Sequence, residues 1–388
     1  MDKRIILAGL CSYDNLGDQI LIDTCTYLVN RTLKKINKEN IKIEFIDLQK
    51  PIKNKWYSII HLFYRITCRL TSNKDILDKF KYYEACLRYR KYFEEILTSC
   101  CALIFVGGAY LKYKSEDFRY SIRLLLKISD ELNIPVMMNS VGIEGYEKND
   151  FRCIRLKWAI NRQCVKVITT RDDHEFLNKH FISNHSIVTA NVADSALWIP
   201  ECYKIFSITK KYDIGINMSY LNLFHTYQIT DDNTFIELYK EIFKHLSLRG
   251  LSYRIFCNGK SEDYTGAIEL CRILSIPQDT VLPRPESPLQ LINQIGEFRA
   301  ILPIRFHACV IAYALGIQSA GYIWNHKYDT FLKKSNMIEM FQPLKNVNVF
   351  KIVNDLQKIV EGNSSKNLLN EDKLNTLYYI ERFLEKYV

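Results

Sequence analysis

The chain has 388 residues, more than one hydrophobic core usually supports, so its length predicts two domains. With 48% hydrophobic and 25% charged residues it has the make-up of a globular protein, which excludes a disordered or low-complexity chain. Its net charge of +10 points to an anionic partner; the basic residues are spread along the chain without a zinc-finger, RNP or basic-zipper pattern, which makes nucleic acid the weakest candidate.

The first eleven residues, MDKRIILAGLC, place an apolar run after basic residues, as a signal peptide does. The run is only about half of a normal signal core and polar YDNLGDQ follows it, so it reads as a first strand. No segment approaches the roughly 20 apolar residues of a membrane span. Further strands are expected at IEFIDL (43–48), ALIFVG (102–107), VMMNSVG (136–142) and VKVITT (165–170), and helical patterns separate them, the signature of parallel sheets built from βαβ units. Leu21, Cys25, Leu28, Thr32, Leu33 and Ile36 recur at helical spacing after the first strand.

The stretch 198–211 breaks this rhythm with Pro200 and a basic pair, and a second alternation begins at YDIGIN (212–217), continuing through YRIFCN (253–258), AILPI (300–304) and QSAGYI (318–323). The expected fold is therefore α/β: two Rossmann-like domains, 1–203 and 204–388, facing across a cleft lined by the carboxyl ends of their strands. Residues 51–97 read as a helical insertion in the first domain, and 345–388 as carboxy-terminal helices that pack back across the hinge. The insertion mixes Trp56, Tyr57, Ile59, Ile60, Leu62, Phe63, Tyr64, Ile66 and Leu70 with Lys and Arg. Such a mixture suits a membrane interface, but its nearly continuous apolarity favours a packed helical layer. The 12 cysteines are scattered, sit largely in apolar runs and form no CxxC pair, which fits free thiols in a reducing cytoplasm and lacks metal-ligand spacing.

Five motifs carry chemistry. In GLCSYDNLGDQIL (9–21) a strand ends at Gly9, Asn15 and Gly17 permit a turn, and Asp18 is placed to cap a helix whose first N–H groups suit a polar or anionic group; an ordinary strand-turn-helix connection reads the same way. Gly107 and Gly108, before Ala109, allow close approach of a ligand or a tight turn. Arg171, at the end of the strand VKVITT, presents a fork suited to carboxylate or phosphate, unless it pairs with neighbouring acids; Asp172 or Asp173 opens the next helix. In LPIRFHACVIAYALGI (302–317) a core strand runs into Arg305 and His307 before an apolar helix. That placement is costly unless both meet a ligand, or Arg305 makes an internal salt bridge and His307 bonds locally. In IWNHKYDTFL (323–332) Lys327 can reach the same anion, and Trp324 and Tyr328 can stack on a sugar.

In this order the motifs resemble those of the polysaccharide pyruvyl transferase family: GYxxxxNxGDEAIL, GGG, VxxRD, an aspartate-bearing strand end, RxHAxIxAxxxGxP and YDxK. Here they read GLCSYDNLGDQIL, GGA, ITTRDD, VADSALWIP, RFHACVIAYALGIQ and WNHK, spanning residue 5 to about 332. Ala109 replaces a glycine, Gln19 an acid and Asn325 an aspartate. The resemblance implies a GT-B-like fold and, without a cofactor or metal, transfer of pyruvate from phosphoenolpyruvate onto two hydroxyls of a sugar as a cyclic ketal. It further implies that Arg171, Arg305, His307 and Lys327 hold phosphoenolpyruvate, with His307 and Arg305 catalytic, and that the acceptor sugar lies by Asn15, Gly17, Asp18, Gly107 and Gly108. The product would be a capsule or exopolysaccharide made on a lipid-linked or soluble precursor in the cytoplasm, with peripheral contact to the inner membrane face if the acceptor is lipid-linked. The alternatives are a GT-B glycosyltransferase using a nucleotide sugar, for which Glu286 is the acid placed to meet a ribose, and an inactive glycan-binding homologue.

Overall fold

The computed structural model describes residues 3–11, 15–49, 57–112, 118–226, 231–325, 327–362 and 370–388. Its first seven strands are β1 (Arg4–Gly9), β2 (Lys42–Asp47), β3 (Cys100–Phe105), β4 (Gly108–Leu111), β5 (Val136–Ile143), β6 (Val165–Thr170) and β7 (Val188–Asn191). They form one parallel sheet in the order β2-β1-β3-β5-β6-β7, with β4 also paired to β5. A parallel sheet is covered by helices on both faces, and β5 accordingly is buried from Val136 through Gly142. β4 and β7 have four residues each, too few to show a period in the sequence. Successive connections leave β1 to opposite sides, towards β2 and β3, so the switch point of the sheet lies at the ends of β1 and β3.

A second parallel sheet has the order β11-β10-β8-β9, built from β8 (Tyr212–Asn217), β9 (Tyr253–Phe256), β10 (Phe298–Leu302) and β11 (Gln318–Ser319). Its switch point falls between β8 and β10. Two expectations change here. β10 stops at Leu302, because Pro303 has no N–H to continue the ladder, so Pro303 and Ile304 belong to the turn. The expected strand QSAGYI divides: β11 continues the main sheet, whereas β12 (Gly321–Ile323) pairs with β13 (Phe341–Pro343).

Contacts along the chain define two units. The first comprises Met1–Cys11, Leu21–Ser195 and Asp372–Val388; the second comprises Ser12–Ile20 and Ala196–Glu371. The carboxy-terminal stretch supplies the helices Val349–Val360 and Asn370–Tyr387. The last of these completes the first unit: Ala193 donates its N–H to the Asp372 carbonyl at 2.9 Å, Thr376 donates its hydroxyl to the Ala193 carbonyl at 3.1 Å, and Lys35 pairs with Glu381 at 2.7 Å.

The insertion forms the helices Tyr57–Leu70 and Lys74–Leu97, and its residues 51–56 lie outside the described residues. Asn73 starts the second helix by accepting the Asp75 and Ile76 N–H groups. That helix buries Ala85, Tyr89, Phe93 and Leu97 in the core of the first unit. Buried Asp78 anchors it through Arg123 at 3.0 Å, in the helix Phe118–Glu131, and through Arg155, in the helix Phe151–Ile160.

Candidate active site

A buried polar network of the second unit sits at its switch point. Asn217, the last residue of β8, is fully buried and accepts the Arg305 N–H at 2.8 Å through its side-chain oxygen. Its amide nitrogen donates to the side chain of Asn258, beyond β9, at 3.0 Å. Arg305 immediately precedes the helix Phe306–Ala314, and its carbonyl accepts the Ala308 N–H. One residue earlier, the Ile304 carbonyl accepts both the Trp324 indole N–H at 2.8 Å and the Tyr328 hydroxyl at 2.9 Å. A carbonyl with both lone pairs engaged fixes the turn that presents Arg305 and His307.

This corrects the reading of Tyr328 as a sugar platform, because it is 1% exposed and its hydroxyl braces the turn, whereas Trp324, held by its indole N–H, stays half-exposed. Lys327 begins the helix Lys327–Lys334, where its backbone N–H donates to the side chain of Asn325 at 3.1 Å. Asn325 therefore keeps the helix-starting role that an aspartate would fill. His326 of the same motif lies outside the described residues.

Arg305 does make an internal ion pair, and it is one that positions the side chain. Asp263, with no exposed surface, accepts from Arg305 Nε at 3.0 Å and Nη2 at 2.5 Å. The same carboxylate accepts from the Ser219 hydroxyl at 3.0 Å and the Tyr220 N–H at 3.2 Å. A guanidinium carries five N–H groups, and this side-on pairing engages two while fixing the plane of the fork. The arrangement depends on close approach of the helix Ser261–Ile273, since a Cβ on Gly266 would lie 2.8 Å from the Ser219 carbonyl oxygen and from Tyr220 Cα.

His307, half-buried, faces the start of the helix Leu16–Lys35. A Cβ on Gly17 would lie 2.5 Å from His307 Nδ1 and 2.8 Å from its Cβ and Cγ, so only glycine lets the imidazole lie against this turn. Leu16 donates its N–H to the Asn258 carbonyl at 3.2 Å, which ties the turn to the Asn217 network. The helix begins before Asp18 rather than at it: Asp18 lies in the first turn and accepts from the Asn15 side chain at 2.6 Å. Ser12, Tyr13 and Asp14 of the motif lie outside the described residues. Asn15, Gly17 and Asp18 thus belong to the unit of Arg305 and His307, and Gly107 and Gly108 to the other.

The first unit has its own polar cluster at the strand ends. Arg171, 7% exposed after β6, forms an ion pair with buried Asp194 instead of the acids beside it. Its guanidinium packs over Gly142, where a Cβ would come within 3.1 Å of Nη2. Asp172 accepts the Ile143 N–H at 2.6 Å, and Asp173 caps the next helix, His174–His180, by accepting the Phe176 N–H at 2.9 Å. Ser140 has φ +50°, unusual for a side-chain-bearing residue, and is held there by bonds to Thr169 and to the Ala193 carbonyl, each 2.8 Å. Gly107 (φ +109°) and Gly108 (φ +120°) turn the chain out of β3 at the switch point. A Cβ on Gly107 meets nothing closer than 3.6 Å, so backbone conformation and not space demands glycine. Gly107→Ala and Gly108→Ala are each expected to cost ~1–3 kcal/mol, read as a lower urea midpoint.

All 12 cysteines are free thiols. Burial pushes Cys25 and Cys309 up to about 12, partly offset by hydrogen bonds to Asn139 and Ser319, which removes them as nucleophiles at neutral pH. Among the described residues, no cluster of His, Cys, Asp and Glu could hold a metal ion. Glu286 is exposed on a loop.

The sequence matches the polysaccharide pyruvyl transferase family over residues 15–327, a span that contains every candidate residue from Asn15 to Lys327. The chain belongs to the polysaccharide pyruvyl transferase family. No curated protein matches it significantly. Among solved structures, UDP-GlcNAc 2-epimerase from Methanocaldococcus jannaschii is similar with a TM-score of 0.58 at 11% identity, over 99% of each chain. A putative UDP-N-acetylglucosamine 2-epimerase from Listeria monocytogenes gives 0.57 at 8% identity, covering 98% of this chain and 95% of that one. At such identities the likeness concerns the fold, and this pyruvyl transferase family member is GT-B-like. Sequence reasoning missed Asp263, Asn217 and Asn258, and took Asp194 only as part of a motif. The one local signal for Asp263 is Gly266, three residues on in a helix, where glycine is costly without a packing reason.

Proposed function

We propose that this chain transfers pyruvate from phosphoenolpyruvate to two hydroxyls of a sugar, forming a cyclic ketal on a precursor of a capsule or exopolysaccharide in the cytoplasm. The observation that carries the reading is the Asp263-oriented Arg305 next to His307, set by Gly17 at a strand switch point within the family's span. Phosphoenolpyruvate joins a carboxylate and a phosphate on one small carbon frame, and guanidinium groups bind both by charge-assisted hydrogen bonds. Arg305, with Lys327 as a further cation, is the donor-binding arginine of the second unit in this reading, and Arg171, paired with Asp194, is the candidate arginine of the first. Imidazole changes charge near neutral pH, so His307 can give a proton to the donor's methylene carbon as a sugar hydroxyl adds to the neighbouring carbon. The first hydroxyl's proton restores His307; the second hydroxyl then displaces phosphate, which leaves with that hydroxyl's proton, and the ketal closes. Asn15, Gly17 and Asp18, on the side of His307, are the acceptor contacts of this reading, with Gly107 and Gly108 the acceptor candidates of the first unit, and it uses no cofactor or metal.

Transfer from a nucleotide sugar is the second reading, favoured by the fold shared with UDP-GlcNAc epimerases. Thermal unfolding with each ligand separates the two, because a ligand held only by the native state stabilises it by about 2.7 kcal/mol at a hundredfold excess over Kd. The midpoint should rise with phosphoenolpyruvate and the rise should vanish in Arg305→Ala. A rise with nucleotide sugars alone would overturn pyruvyl transfer.

A further inference from the structure

The helix Tyr57–Leu70 carries Ile59, Leu62, Phe63, Ile66 and Leu70 at the spacing of one helical face. That face should be packed inward, yet these five side chains are 46%, 56%, 57%, 42% and 80% exposed. The opposite side holds the helix in place: His61, Tyr64 and Thr67 are half-buried, and Lys81 of the following helix lies 4.4 Å over the Tyr64 ring. The apolar face is therefore presented outward by a seated helix. Exposed apolar stripes of this kind mark interaction surfaces.

The charge around the stripe decides what it meets. Between Asp47 and Asp75 the sequence contains no acidic residue, while Lys50, Lys53, Lys55, Arg65, Arg69 and Lys74 are basic. Arg65 and Arg69, both exposed, flank the stripe on one side. A 14-residue helix is too short to span a bilayer, and among the described residues no helix is long and apolar enough to do so. An apolar arc bordered by arginines on a non-spanning helix suits insertion into the headgroup boundary of a membrane rich in anionic phospholipid. We propose that the helix Tyr57–Leu70 docks this protein, lying flat, on an anionic lipid bilayer, with Leu62, Phe63 and Ile66 in the acyl boundary and Arg65 and Arg69 among the headgroups. This surface stands independently of the transferred group.

Co-sedimentation of the full chain with vesicles of phosphatidylcholine alone, and of phosphatidylcholine with phosphatidylglycerol, tests it. Binding should require the anionic lipid and weaken with salt. Each basic side chain near such a surface is worth about fivefold in partition, so Arg65→Glu/Arg69→Glu should lose at least roughly thirtyfold. Leu62→Glu/Ile66→Glu should abolish binding with an unchanged unfolding midpoint, since both residues are exposed. Equal binding by wild type and either variant would overturn the proposal. So would absence of wild-type binding to anionic vesicles, and light scattering that showed Leu62→Glu/Ile66→Glu dissolving a dimer without any lipid binding would assign the face to a second copy of the chain.

Discussion

Asp263→Ala is expected to lower the free energy of unfolding by ~3–5 kcal/mol, the usual cost of removing one partner from a buried ion pair. The carboxylate has no exposed surface and accepts hydrogen bonds from Arg305, Ser219 and Tyr220, so alanine strips acceptors from a guanidinium, a hydroxyl and a backbone N–H together. Asp263→Asn should be milder for stability, because an amide oxygen still accepts from Ser219 and Tyr220. Its NH2 group opposes the Arg305 fork, however, and phosphoenolpyruvate should no longer raise the unfolding midpoint. Denaturant titration measures the first effect and ligand-dependent melting the second. A fully stable Asp263→Ala protein would show that the ion pair is dispensable.

Gly17→Ala is expected to cost nearly as much activity as loss of the His307 imidazole itself. The added methyl group would overlap His307 Nδ1 at 2.5 Å and the ring base at 2.8 Å, so the imidazole must leave its position or the helix start must move. Overpacking of this sort costs ~1–3 kcal/mol in stability. Displacing a reacting group by about 1 Å costs roughly 10²-fold in rate, so kcat/KM for ketal formation should approach that of His307→Ala while the protein stays folded. Activity retained in Gly17→Ala would remove His307's present position from the chemistry.

Much of the frame was legible because parallel strands are short apolar runs with clear ends. YDIGIN and VKVITT were read as strands over the residues that form β8 and β6. Where β-pairing depends on what lies alongside, the pattern fails: nothing local in QSAGYI marks the point at which the chain leaves β10 and joins β13. Arg305 and His307 stood out as charges between a core strand and a core helix. Asp263 did not, since it follows Glu262 in the first turn of a helix, where acids are favoured by the helix dipole with or without a partner. The contact of Gly17 with His307 joins residues far apart in sequence and leaves no local trace. The apolar stripe of Tyr57–Leu70 was read as packed because most such stripes are, and periodicity does not distinguish an inward face from an outward one.

The chain exchange between the two units limits how the protein can be divided. A break at Ser195 would leave the amino-terminal fragment without the helix that satisfies Ala193, and would leave the other fragment without the Asn15–Ile20 segment against which His307 rests. Neither half is a self-sufficient module. Separate expression of either half would therefore have to carry with it a short piece from the other end of the chain.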